Sequence, residues 1–360
     1  MITREGRAKA VALRDRFEAA GAQVVEPPML QSAELLLDLY GEDIRARAYV
    51  TSDALRGEQM LRPDFTVPVV QMHMAHGADP ARYTYAGEVF RRQEDDPDRA
   101  NEFLQVGFEV FDRADPAAAD AEVFALMAEA VAGLNLRAAT GDIGILTAAV
   151  NGLRTTEARR AALLRHIWRP RRFRALLDRF AGRTPVPASR KALLANPQPR
   201  LGSAPLIGLR TDDEIEARIS ALHADAAAKP ISDGEMDLLD TLLNVRETVP
   251  FALSHLRDLT VDMPSISDAV EGLAARSDAL VARGVDVDTL DFEASYGRTS
   301  MEYYDGFVFG FYAAGRADLP AVVSGGRYDA LTRRLGGGAE IPAVGAVLRP
   351  GLMAELEAGA

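Results

Sequence analysis

The chain contains no cysteine, which excludes disulfides, thiol nucleophiles and thiolate-held zinc and predicts a reducing, cytoplasmic setting. No apolar run approaches the length of a membrane span. The first ten residues, MITREGRAKA, are polar, which predicts no secretory leader. The phosphate-cradling pattern GxxxxGK[ST] is missing, so no Walker-type nucleotide site is expected. Gly336, Gly337 and Gly338 follow a predicted helix instead of opening one, so they read as a helix end and turn, not as a dinucleotide loop. His73 and His76 lie three apart on a predicted helix, and a packed or solvated pair is expected there, with no metal and no cofactor.

What is present suits a globular protein of two or three domains: 360 residues, 48% of them hydrophobic. The net charge is −12, which argues against broad nucleic-acid binding. Its distribution is uneven. Residues 151–210 hold fourteen Lys and Arg against two acids, a local +12, so the remainder carries −24. Three readings of this basic stretch stay open: a solvated helical face, a dock for an acidic partner surface, or RNA contact with Trp168 and Phe173 as stacking groups.

Periodicity predicts a helix over 3–20, stopped by Gly21, then a strand interrupted by Pro27 and Pro28, as befits an edge or interface. EQMLRPDFTVPVVQMHMA reads as strand, turn and helix. YTYAGEVF and EFLQVGFEVF read as the two strands of a long antiparallel hairpin, followed by an amphipathic helix over 117–134. The middle, 151–285, reads as mostly helical, and its last helix is expected to be capped by Ser265 or Ser267 and stopped by Gly284. Strands then return in TLDFEASYG, DGFVFGFYAAG and AVVSGG. Strands, helices, strands in that order predict an α+β fold: one antiparallel sheet flanked by helices, with a helical insertion.

Polar residues on the hairpin suggest a site. Gln105 and Glu109 stand four apart on one strand, so they share a face. An amide and a carboxylate there suit an ammonium ligand. Arg91, just past the first strand, suits a carboxylate or phosphate, and Asp64 in LRPDFT adds an anion.

LRPDFTVPVV, GEVFRRQ with EFLQVGFEVF, EYYDGFVF and GGRYDALTRRLGG with PAVGAV together resemble the class II catalytic core of histidyl-tRNA synthetase, in order, from about residue 5 to 353. The resemblance implies a six- or seven-stranded antiparallel sheet that dimerises through its first motif, around Pro27 and Pro28. It places Asp64, Thr66, Arg91, Gln105, Glu109, Tyr303 and Tyr328 around a bound histidine. It divides the chain into a first part of the core (1–150), a helical insertion (151–285) and a second part of the core (286–360), with no anticodon-binding domain.

The chain departs from that pattern at the nucleotide end. Gly351 and Leu352 stand where the family has a Glu-Arg pair, and Arg349 is three residues early, which on a strand would turn it to the other face. Gln93 replaces a glutamate, and Thr299 replaces a catalytic arginine beside Arg298. Glu94, Asp95, Asp96 and Asp98 would repel a tRNA backbone. Each lost phosphate contact costs about 3–4 kcal/mol of transition-state stabilisation, roughly a hundred- to a thousandfold. This profile is similar to the regulatory subunit of short-form ATP phosphoribosyltransferase. That resemblance implies a non-catalytic chain with no catalytic residues of its own. It implies assembly with a short catalytic subunit into a hetero-octamer, and histidine as the feedback ligand.

Overall fold

The computed structural model describes residues 2–40, 44–93, 99–196, 208, 210–298 and 303–359. Among these, the strands are β1 (Gln23–Val24), β2 (Leu30–Ser32), β3 (Val50–Asp53), β4 (Gly57–Leu61), β5 (Ala81–Phe90) and β6 (Glu102–Phe111), then β7 (Leu136–Asp142), β8 (Arg246–Thr248), β9 (Asp291–Glu293), β10 (Phe307–Ala313), β11 (Val323–Arg327) and β12 (Ala343–Leu348). Nine of them form one sheet in the order β1-β5-β6-β12-β11-β10-β7-β9-β8, and β2-β4-β3 form a separate small sheet.

The six central strands, from β5 across to β7, are antiparallel as expected. The flanks correct that expectation. β1 runs parallel to β5, and β9 runs parallel to β7, so the sheet is mixed and has nine strands. Each parallel pair is separated in sequence by helices, and a crossover of that kind returns a strand in the same direction, which a tight hairpin cannot do.

The sheet has two unlike faces. The back carries Phe108 from β6 and Phe307, Phe309 and Phe311 from β10. Phe17 of the helix Arg4–Ala19 packs 5.6 Å from Phe108. Phe124 of the helix Pro116–Ala130 meets the three β10 rings at 6.3, 5.1 and 5.2 Å. Losing one such buried ring costs about 3–5 kcal/mol. The first helix begins where Thr3 Oγ1 accepts the Gly6 amide at 3.0 Å, and it ends before Gly21 at φ 97°.

The insertion contains the helices Glu157–Arg165, Pro170–Phe180, Ala188–Ala195, Asp212–Ala227 and Asp233–Leu243. Its basic half is matched largely from within. Residues 211–243 hold nine acids and two basic residues. Asp225 pairs with Arg159 at 2.7 Å and Arg190 at 3.1 Å, Asp233 with Arg183 at 2.8 Å, and Asp240 with Arg174. Phe173 is buried, and the Trp168 indole donates to a backbone carbonyl, so neither is presented for stacking on a base.

The helix Ser267–Ala282 ends at Gly284 as expected but lacks the expected serine cap. A tight turn, Pro264–Ile266, runs straight into it, and Ile266 at the cap position is already in a helical conformation. A capping hydroxyl needs an extended residue there. Among the described residues, no helix is long and apolar enough to cross a membrane.

Candidate functional site

The front face of the sheet is where side chains give way to backbone. Gly107 lies opposite Tyr85, and Gly345 lies opposite Glu109. A β-carbon on Gly107 would overlap the Tyr85 ring, and one on Gly345 would overlap the Glu109 carboxylate. Glycine inside a strand commonly marks such a close approach. The two functional side chains therefore lie flat on the sheet.

Glu109 is buried, and three hydroxyls converge on it. Thr66 donates at 3.0 Å and Tyr85 at 2.7 Å to Oε1, and Tyr328 donates at 2.6 Å to Oε2. Asp64, also buried, accepts from Tyr40 at 3.1 Å and from the Val67 amide at 3.3 Å, at the start of the helix Thr66–His76. Tyr303 stands 6.0 Å from the Tyr328 ring and 6.2 Å from the Tyr40 ring. Among the described residues, neither carboxylate forms an ion pair with Lys, Arg or His.

Burial dominates the electrostatics. It raises the Glu109 pKa to about 7, against the hydroxyl hydrogen bonds that pull it down, and Asp64 adds to the rise. Burial also raises the Asp64 pKa, opposed first by the charge of Arg91. Burial lifts Tyr40, Tyr85, Tyr303 and Tyr328 well above the usual phenol range, so all four keep their protons.

An ionic lattice fixes Tyr328. Arg327 reaches Asp120 at 2.8 Å and Asp329 at 3.0 Å, and Arg276 joins Asp120 at 3.1 Å to Asp142 at 2.5 Å. Asp305 accepts the Asp329 amide at 3.1 Å. The residues on both sides of Tyr328 are thereby held, and its hydroxyl is aimed at Glu109.

Of the seven residues expected at the site, the fold brings together Asp64, Thr66, Glu109, Tyr303 and Tyr328. Gln105 is on the same face as Glu109 and buried, and its Oε1 has no hydrogen-bond partner. Arg91 stands at the border: it is half-buried, and its Nε donates to the Pro63 carbonyl at 2.7 Å, next to Asp64. Sequence reasoning missed Tyr40, Tyr85 and Tyr304. The signal for Tyr85 was there, as a glycine in mid-strand directly across the hairpin.

Arg91 also lines a neighbouring cavity of about 900 Å³ with Arg47, Arg92, Arg99, Arg349 and Phe103. The Phe103 ring lies 5.7 Å from the Arg91 guanidinium and 5.0 Å from that of Arg349. Burial, then the charges of Arg91 and Arg99, lower the Arg349 pKa to about 9. Arg349 thus shares a cavity with Arg91 and is not turned away from it. β12 ends at Leu348, and Arg349 occupies the turn before the helix Pro350–Ala358, where strand alternation no longer applies. Arg298 does not stand in for the missing arginine: its Nε donates to the Ile167 carbonyl at 2.8 Å. Thr299 and the acids Glu94, Asp95, Asp96 and Asp98 lie outside the described residues. His73 stacks on Phe111 at 3.8 Å and contacts the Tyr83 hydroxyl at 3.1 Å, a packed side chain.

Residues 3–205 and 214–351 match the family profile described as histidyl-tRNA synthetase. The ATP phosphoribosyltransferase regulatory subunit of Brucella ovis is 32% identical over 355 residues, covering 93% of this chain and 93% of the relative. That of Brucella abortus strain 2308 is also 32% identical, with 93% and 92% covered. Among solved structures, one from Bacillus halodurans C, described as an ATP phosphoribosyltransferase regulatory subunit/histidyl-tRNA synthetase, has a TM-score of 0.68 at 22% identity and covers 98% of this chain and 79% of that one. A histidine–tRNA ligase subunit from Alicyclobacillus acidocaldarius has a TM-score of 0.62 at 24% identity, with 99% and 93% covered. These two share the fold, a class II synthetase-like α+β core. By sequence, the chain belongs to the histidyl-tRNA synthetase family and, within it, to the ATP phosphoribosyltransferase regulatory subunits.

Proposed function

We propose that this regulatory subunit senses histidine in the buried pocket around Asp64 and Glu109 and catalyses nothing by itself. One observation carries the reading: among the described residues, two buried carboxylates, Asp64 and Glu109, are held by tyrosine and threonine hydroxyls and form no ion pair. A buried carboxylate without a cation is costly, and the pocket is completed by a ligand that brings one. The α-ammonium or imidazole of histidine supplies it. The tyrosine hydroxyls and the open Gln105 Oε1 provide the remaining hydrogen-bonding capacity, and Arg91 at the border suits the ligand carboxylate.

Feedback then requires only that histidine bind one arrangement of the complex better than another. The attainable shift equals that difference in affinity, commonly about 1–3 kcal/mol. The partner is a short-form catalytic subunit, in a hetero-octamer that forms in the cytoplasm. Homodimerisation through the first motif, around Pro27 and Pro28, is supported by exposed Met29 and Leu30 just after it and by exposed Val50 and Leu55 on and beside the small sheet that includes Leu30. The acidic composition of the hairpin loop, with Glu94, Asp95, Asp96 and Asp98, supports a chain that does not take tRNA.

Glu109→Gln tests the reading. Histidine binding by calorimetry, and histidine inhibition of the assembled enzyme, should both be lost while the chain stays folded. Inhibition unchanged in that variant would remove the pocket from the mechanism. The runner-up, an enzyme that activates histidine with ATP without tRNA, draws on the arginine-lined cavity. Histidine-dependent pyrophosphate exchange separates the two, and none is expected.

A further inference from the structure

Arg298 and Tyr304 are both held by one turn between two helices. On one flank Arg298 donates from Nε to the Ile167 carbonyl at 2.8 Å and stacks 4.7 Å over the Phe173 ring. On the other, the Trp168 indole donates to the Tyr304 carbonyl at 3.1 Å. Ile167 and Trp168 are consecutive and join the helices Glu157–Arg165 and Pro170–Phe180.

From this clamp a continuous set of contacts leads to both carboxylates. The Tyr304 ring meets Tyr303 edge-on at 4.9 Å. Tyr303 meets Tyr328, whose hydroxyl is on Glu109, and Tyr40, whose hydroxyl is on Asp64. The clamp is also incompletely satisfied. Arg298 is 5% exposed, and its Nη2 has no hydrogen-bond partner. A buried donor left unmet is costly, so an arrangement that meets it is favoured once Tyr303 and Tyr304 shift.

We infer that occupation of the pocket is transmitted to the insertion through this clamp, with Tyr303 as the element that moves and the Ile167–Trp168 turn as the receiver. The inference rests on the pocket reading above. A rigid brace would have the same contacts, so the discriminating property is a response to ligand.

The chain carries its own reporter, because Trp168 is its single tryptophan. Free histidine is titrated into the full chain while calorimetric heat, tryptophan emission and amide exchange over residues 157–180 are followed. The expected result is a saturable emission change with the calorimetric midpoint, together with slower exchange in that segment. Calorimetric binding that Glu109→Gln abolishes, without any change in emission or exchange, overturns the inference and leaves the pocket reading standing. No binding, or binding that Glu109→Gln leaves intact, overturns both. In Trp168→Phe, which keeps an aromatic ring but loses the indole donor, histidine should still bind while the slowing of exchange over 157–180 is reduced. Slowing equal to wild type in that variant would make the clamp a brace only.

Discussion

Arg91 separates two regions that have the same problem with opposite sign. On its inner side Asp64 and Glu109 are buried with hydroxyl donors and, among the described residues, without an ion pair. On its outer side Arg349 is half-buried against Phe103 and repelled by Arg91 and Arg99. Burial raises the Glu109 pKa to about 7 and lowers that of Arg349 to about 9, in each case disfavouring the charged form. The difference lies in what surrounds them. The inner carboxylates are enclosed by tyrosines and a glycine floor, so a ligand there must fit a fixed shape. The outer arginines border roomy space that imposes little shape.

The comparison breaks most sharply at Glu109. Removing its charge should weaken histidine binding by about 2–5 kcal/mol, measurable by calorimetry, as for other buried charged partners. Free Glu109→Gln should be at least as stable as the parent at pH 8, because the parent must hold an ionised carboxylate in a buried site. Next in size is Gly345→Ala. Its methyl group overlaps the Glu109 carboxylate, so thermal unfolding should show about 1–3 kcal/mol of destabilisation, and histidine affinity should fall as well.

A smaller effect concerns protons. The folded pKa of Glu109, about 7, lies above its ordinary 4.5, so between these values the folded chain holds a proton that the unfolded chain has released. This group's contribution to stability is therefore full below the lower value and is lost as pH rises through the upper one. An ammonium ligand favours the ionised form, so histidine bound through its α-ammonium just below pH 7 should release protons. Calorimetry in buffers of different ionisation enthalpy would detect this, and the signal should vanish in Glu109→Gln. The smallest effect is expected at the outer side. Arg349→Gln should leave histidine affinity within about threefold, since Arg349 contacts neither carboxylate and acts on the site only through the charge of Arg91. A large loss there would mean that the two regions hold one ligand jointly.

Much of this arrangement was open to inspection in the sequence. Strand alternation put Gln105 and Glu109 on one face, and the motif resemblance supplied Asp64, Thr66, Tyr303 and Tyr328. What escaped depends on contacts between distant segments. Tyr40 and Tyr85 join the site from other elements, and only the mid-strand Gly107 hinted at the second. Arg349 was misplaced because alternation was carried one residue beyond the strand end. The charge of residues 151–210 left three readings open because counterions such as Asp225, which pairs with Arg159, lie 66 residues away. The parallel flanks of the sheet were likewise hidden, since strand direction depends on how helices cross back.

The glycine floor has a consequence for any attempt to alter the proposed histidine site. Where Glu109 rests on Gly345 and Tyr85 on Gly107, there is no side chain beneath to trim or enlarge, and adding one strikes the groups above it. Adapting the proposed site to another amino acid would have to proceed from the roof, through Tyr303 and its neighbours. The strands below would serve as a mould that accepts no adjustment.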